Sequence, residues 1–301
     1  MPAVLNTNAA SLYASKNLQS AQSKMASSVE RLSSGLRINR AKDDAAGLGI
    51  AASVTSQING ANQGIRNLND GISIVQTAEG AISAAMEMGQ RILTLATQGA
   101  NETLGTNERT SIKNEMRQLI SAIDTISIRT KFSGNSLFMN ATNGTTTYTL
   151  QASSVTGDTI TLGAGAFIKL GSGQAAGSLD NTASGLTTTD GQGAALLNAI
   201  NAGANLTTAQ MNTIRTTAVT YIDSLITQRG LLGASQNQIE YSVSNLTELS
   251  SNLSAARSNI QDTDYASETA SLTKGQILQQ AATAMLAQAN QMPNVILSLL
   301  K

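Results

Sequence analysis

MNTIRTTAVTYIDSLITQRGLLGASQNQIEYSVSNLTELSSNLSAARSNI (211–260) repeats every seven residues from end to end. Steps of seven from Met211 reach Ala218, Leu225, Leu232, Ile239, Leu246, Leu253 and Ile260 without a polar interruption. A softer second row runs through Ile214, Tyr221, Gln228, Ser235, Ser242, Leu249 and Ala256. Residues spaced in this way share one face of an α-helix, and a heptad held for so long makes a coiled-coil-like seam. Gly230 and Gly233 fall off that seam. At 1.5 Å per residue the stretch spans about 75 Å, too long to stand without partners.

The partners are found upstream. Between residues 58 and 96 one row is Ile58, Ile65, Ile72, Glu79, Met86 and Leu93, and another is Ala61, Leu68, Val75, Ile82, Gly89 and Ala96. Gly99 then offers a stop. Thr106 or Asn107 offers an N-cap for a further helix seamed by Ile112, Met116, Leu119, Ile123 and Ile126. Three stripes that each need cover predict an antiparallel bundle, with 211–260 returning beside the two earlier helices.

Between residues 140 and 207 the texture changes. TNGTTTYTLQASSVTGDTITLGAGAFIKL (142–170) is rich in Thr, Gly, Ala and Ser, and its short alternating runs at Tyr148–Leu150, Thr159–Leu162 and Phe167–Leu170 read as small strands. A short helix is expected over Ala194–Ala202. The fold class is therefore mainly α, a discontinuous helical bundle with a small β-rich outer insertion.

Composition narrows the function. The 301 residues include no histidine and no cysteine, which removes the usual acid/base group, the usual zinc ligands and the thiol nucleophile together. No phosphate loop or Gly-x-Ser-x-Gly turn compensates, so no enzyme, metal or cofactor is expected. Nineteen basic and nineteen acidic residues balance to zero, which argues against nucleic-acid partners and favours self-association. Arg31, Arg37, Arg40, Lys42, Asp43 and Asp44 alternate in sign without aromatics, as in a salt-bridged turn rather than a nucleic-acid patch. No run of eighteen apolar residues occurs, so no membrane span is expected. The start MPAVLNTNAASLYASKNL has no basic region leading an apolar core, and any export is expected without a cleavable signal peptide.

Both ends are amphipathic and nearly uncharged. Leu18, Ala21, Met25 and Leu32 make a stripe in the first, and Leu278, Ala282, Met285, Ala289 and Met292 make one in QILQQAATAMLAQANQMPNVILSLLK (276–301), with Pro293 suggesting a kink or restart. They look like partners. An isolated pair gains little beside the entropy of ordering both segments, so both ends are expected to fold only when other copies supply apolar surface.

Four longer motifs give a family resemblance. ERLSSGLRINRAKDDAAGLGIA (30–51), QRILTLATQGANET (90–103), RTKFSGNSLF (129–138) and ARSNIQDTDYASETASLTKGQILQQAATAMLAQANQMPNVILSLLK (256–301) closely resemble bacterial flagellin. The resemblance implies a subunit of the extracellular flagellar filament, a helical homopolymer exported through the flagellar type III apparatus. It also implies an inner domain of paired terminal helices (1–45 with 257–301), a helical rod (46–139 with 208–256) and an outer variable domain (140–207). The polymerisation core would be Leu18, Met25, Leu32, Leu278, Met285 and Met292. Implied partners besides the chain itself are an export chaperone, the filament cap, the hook-filament junction proteins and host Toll-like receptor 5. For that receptor the matching residues are Arg91, Leu95 and Glu115. Counted from Met86 at heptad position a, Arg91 and Leu95 are both off the seam, which predicts an exposed patch.

Overall fold

The computed structural model describes residues 8–138, 147–162, 167, 170, 193–203 and 206–299, with side chains described through residue 291. In chain order the elements are α1 (Ala9–Ser34), α2 (Ala45–Gly99), α3 (Thr106–Arg129), β1 (Lys131–Phe132), β2 (Asn135–Ser136), β3 (Tyr148–Gln151), β4 (Thr159–Leu162), α4 (Ala194–Asn201), α5 (Thr208–Gln261) and α6 (Tyr265–Leu299). Two compact units result, residues 1–58 with 251–301 and residues 59–250.

In the second unit α2 and α5 run antiparallel. Ser250 Oγ donates to Asn62 Oδ1 at 3.1 Å, Arg229 pairs with Glu79 at 2.9 Å, Gly89 lies against the Tyr221 ring, and Gly99 meets Met211. The α5 repeat is the core: Met211, Ala218, Leu225, Leu232, Ile239 and Leu246 are all buried. Its second row is buried through Ile214, Tyr221 and Gln228, then leaves the core, with Ser235 and Ser242 half-buried and Leu249 exposed.

In α2 one row holds and the other shifts by a residue. Ala61, Leu68, Val75, Ile82, Gly89 and Ala96 are buried; of the other row Ile58 is buried, whereas Ile65, Ile72, Glu79, Met86 and Leu93 are only half-buried. The second buried row is Gly64, Gly71, Ala78, Ala85, Ile92 and Gly99. Small residues carry little hydrophobic weight, so a count of apolar side chains passes over them. They are nevertheless the positions at which other backbone comes closest.

The start of α3 also differs from expectation. The N-cap is Gly105, with no side-chain hydrogen bond, and Thr106 and Asn107 already lie in the first turn, where their carbonyls accept from the hydroxyls of Thr110 and Ser111. Exposed first-turn N–H groups reach water without a capping side chain. Ile112, Met116, Ile120 and Ile123 are buried, with Leu119 and Ile126 half-buried beside them. After α3 a tight hairpin turns at Ser133 and Gly134, both at positive φ (49° and 84°), as a type I′ turn demands.

The small insertion is present. Its strands pair antiparallel from Tyr148↔Leu162 to Gln151↔Thr159, and α4 forms where a short helix is expected. The expected strand over 167–170 lies partly outside the described residues. No separate outer unit appears among the described residues of 140–207: Ile160, Leu162, Phe167, Leu170, Leu197 and Ile200 share one core with the helices. Two four-residue strands have no second layer of their own, so their apolar face is buried on a helix. Phe167 anchors it, 5.3 Å from the Tyr148 ring edge-on and 6.3 Å from the Phe138 ring.

In the first unit α1 and α6 lie antiparallel. Asn8 Nδ2 donates to the Ala289 carbonyl at 2.7 Å near one end, and Arg31 approaches Glu268 at 3.7 Å near the other. Gly35 ends α1 in the left-handed region (φ 71°), where its N–H bonds the Arg31 carbonyl. The charged turn that follows is held by Arg37 on the Ile260 carbonyl (2.6 Å), Arg40 on Glu30 (2.7 Å) and Asp43 Oδ2 accepting from the N–H of Arg40 (3.0 Å). Asp44 Oδ1 accepts from the Gly47 N–H at the start of α2. α6 is continuous to Leu299, so no restart occurs at Pro293.

Candidate functional site

The α1–α6 pair is seamed by small residues. On α1 the buried positions are Ala14, Ala21 and Ser28; among the described side chains of α6 they are Gly275, Ala282 and Ala289, each set seven apart. Such side chains let two helices approach closely, as Gly275 does against Met25. They also bury little apolar area, and the large residues stay outside. Leu12 (70% exposed), Tyr13 (66%) and Met285 (65%) stand open, with Val29, Ile277 and Leu278 beside them in the exposed class.

The expected stripes are thus displaced to the flanks of the seam. Leu18, Met25 and Leu32 are half-buried, and Leu278 and Met285 are exposed. Met292 lies beyond the described side chains. Ala21, Ala282 and Ala289 belong to both the expected stripes and the seam, whereas Ala14, Ser28 and Gly275 were legible only as a repeat of small residues. Between the helices runs an apolar groove of about 650 Å³, with Tyr13, Ala14, Ala21, Leu278, Ala282 and Met285 among its lining.

The second candidate site lies on α2 and α3. Arg91 donates through Nη2 (2.7 Å) and Nε (3.0 Å) to the same Glu115 oxygen, and both side chains are about half exposed. Leu95, one turn along, is 2% exposed and belongs to the core, so the patch expected beside Arg91 does not include it. The one-residue shift of the α2 seam is the reason. Position 95 neighbours the buried row at Ile92 and Gly99 rather than the outer face.

A further cationic stripe, unread in the sequence, runs along α3. Lys113 is buried with its ammonium donating to the Gly203 carbonyl, and Arg109 donates to the Asn101 carbonyl and Thr208 Oγ1, both at 3.1 Å. Burial, and then the Arg117 charge, lower the Lys113 pKa. The stripe clips the segment before α5 onto α3.

Among the described residues no group of three acidic side chains is placed to hold a metal ion, and no helix is long and apolar enough to cross a membrane. Antiparallel helices with exposed apolar flanks define the class as a structural, associating subunit.

Comparison with known proteins is specific. The family description for the bacterial flagellin N-terminal helical region matches residues 5–143, and that for the C-terminal helical region matches residues 213–300. The flagellin of Halalkalibacterium halodurans is 37% identical over 305 residues, covering 99% of this chain and all of that protein. Flagellin B of Vibrio cholerae serotype O1 is 34% identical over 373 residues, covering 98% and 99%. The structure of a putative flagellar hook-associated protein from Vibrio parahaemolyticus superposes with a TM-score of 0.52 at 12% identity, over 73% of this chain and all of that one, a likeness of fold. The chain belongs to the bacterial flagellin family. It is a structural subunit of the extracellular flagellar filament, a homopolymer, and not an enzyme.

Proposed function

We propose that the first unit drives polymerisation and that its exposed apolar flanks are the surfaces covered by neighbouring copies. The observation that carries this reading is the division of labour between α1 and α6: the small seam joins them, while Leu12, Tyr13, Leu278 and Met285 remain outside. Covering a large apolar side chain contributes roughly 1.5 to 3 kcal/mol, and a polymer repeats that gain in every subunit. Leu18, Met25 and Leu32 act as the half-buried border of the same surface, and Met292 is counted with them in the proposed polymerisation core. In solution, before assembly, both ends are unstructured and gain order from their neighbours.

The test is seeded elongation. A chain lacking residues 276–301 keeps a folded second unit and does not elongate seeds, whereas normal filaments from that deletion refute the reading. The domain division expected from the family, an inner pair (1–45 with 257–301), a helical rod (46–139 with 208–256) and an outer segment (140–207), is part of the same proposal. Delivery by an export chaperone and placement between junction and cap proteins belong to it as well.

Recognition by Toll-like receptor 5 is the second part. Arg91 and Glu115 form the accessible pair that supports it, and Leu95 acts from beneath by holding α2 in place. In a receptor reporter assay on monomer, Arg91→Ala lowers potency; unchanged potency removes the site.

A further inference from the structure

The chain has nine methionines and no cysteine, so the thioether is its only oxidisable sulfur. Among the described methionine side chains, Met116 and Met211 are fully buried, Met25, Met86 and Met88 are half-buried, and Met285 is 65% exposed. Met285 stands in the α1–α6 groove with Tyr13, Leu278 and Ala282. Among the described methionines, the one that the folded α1–α6 pair itself leaves most open is therefore also one that, on the reading above, neighbouring copies cover.

We infer that Met285 is an oxidation site whose state decides whether a subunit enters the filament. A peroxide is the oxidant class. The sulfur lone pair attacks one peroxide oxygen, the S–O bond forms as the O–O bond breaks, sulfur loses two electrons, and the other oxygen leaves as water after taking up the proton. The product is a sulfoxide, bulkier than the thioether, polar and a strong hydrogen-bond acceptor; the groove's alanines and Leu278 offer it no donor, and its donors, Tyr13, Asn17, Ser20, Lys24 and Gln288, must leave water to meet it. An apolar, adaptable side chain becomes one that resists burial. The change is reversible, because methionine sulfoxide reductases act on accessible sulfoxides. Once neighbours cover the groove the sulfur is out of reach, so the switch acts on free subunits and not on finished filament. This inference rests on the reading that neighbouring copies cover the groove.

Full-length monomer is treated with hydrogen peroxide, mapped by peptide mass spectrometry and added to seeds. The oxygen is expected on the Met285 peptide at doses that leave Met116 and Met211 unchanged, and assembled filament given the same dose keeps Met285 reduced. The critical concentration for elongation rises about tenfold, the factor that about 1.4 kcal/mol represents. Reductases for both sulfoxide epimers, with a dithiol as reductant, restore it. The Met285→Leu variant elongates as the parent does and remains competent after peroxide, which separates Met285 from Met1, Met25, Met139 and Met292. Normal elongation by protein oxidised at Met285, or equal loss in Met285→Leu, overturns the inference while leaving polymerisation intact. If untreated parent fails to elongate seeds, the polymerisation reading itself falls, and this use of Met285 falls with it.

Discussion

Gly64 of α2 lies directly against the carbonyl of Ala152, at the end of β3, in a space that a β-carbon would have to share with that backbone. Gly60, against Ser154, and Gly71, against Leu150, continue the column along which the β3–β4 hairpin seats itself, and Asn67 Nδ2 ties it down on the Gln151 carbonyl at 3.0 Å. Backbone cannot swing aside as a side chain can. Gly64→Ala is expected to destabilise the second unit by about 1 to 3 kcal/mol through overpacking. Gly80, in the same helix with open space around it, gives the opposite sign. Gly80→Ala stabilises by roughly 0.5 to 1 kcal/mol, because glycine lowers helix stability by that much. Urea unfolding of the pair measures both.

Leu95 and Arg91 separate core from surface within one helical turn. Leu95→Ala is expected to cost about 2 to 5 kcal/mol, as for a buried leucine. Arg91→Ala changes stability by less than about 1 kcal/mol, because a half-exposed ion pair is screened by solvent. Chemical denaturation of both variants, with a double-mutant cycle through Glu115→Ala, checks the contrast. Any loss of receptor potency in Leu95→Ala must be read against its lost stability.

Tyr221 donates its phenol to the Leu170 carbonyl at 3.0 Å in the core. Tyr221→Phe leaves that carbonyl without its donor and costs about 1 to 3 kcal/mol at neutral pH. Burial, and then the Asp124 charge, push the phenol far above its ordinary value of 10.0. The folded pKa is raised, so the contribution is intact below pH 10 and is lost above it as the unfolded phenol ionises. Stability of the parent therefore falls above that pH by about 1.4 kcal/mol per pH unit more steeply than that of Tyr221→Phe. Denaturant titrations at several alkaline pH values give the slope.

Asp43 works at the other end of the scale. The Arg40 N–H, then the Asn39 N–H with the charges of Lys42 and Arg31, hold its carboxyl below the ordinary value of 3.8, against an opposing effect of burial. The folded pKa is depressed, so the contribution is present above pH 3.8 and is lost as the pH falls through the lower, folded value. Asp43→Ala is expected to speed amide exchange at Asn39 and Arg40 at neutral pH. Exchange rates of parent and variant converge in acid, after correction for intrinsic rates.

The heptad of 211–260, the two short strands and the helix over 194–201 were legible because each is a local pattern. The period alone says which face is apolar. The register of α2 was not, since Gly64, Gly71 and Ala78 give no hydrophobic signal and matter only for what they let approach. The same holds at the ends, where Ala14 and Ala282 form the seam and the conspicuous Leu278 and Met285 do not. Tertiary structure alone decided that Leu95 is core, that the insertion belongs to the helices' own unit, and that the groove's walls stay open. Each of these depends on how near two backbones come, and that distance is set by residues far apart in the chain.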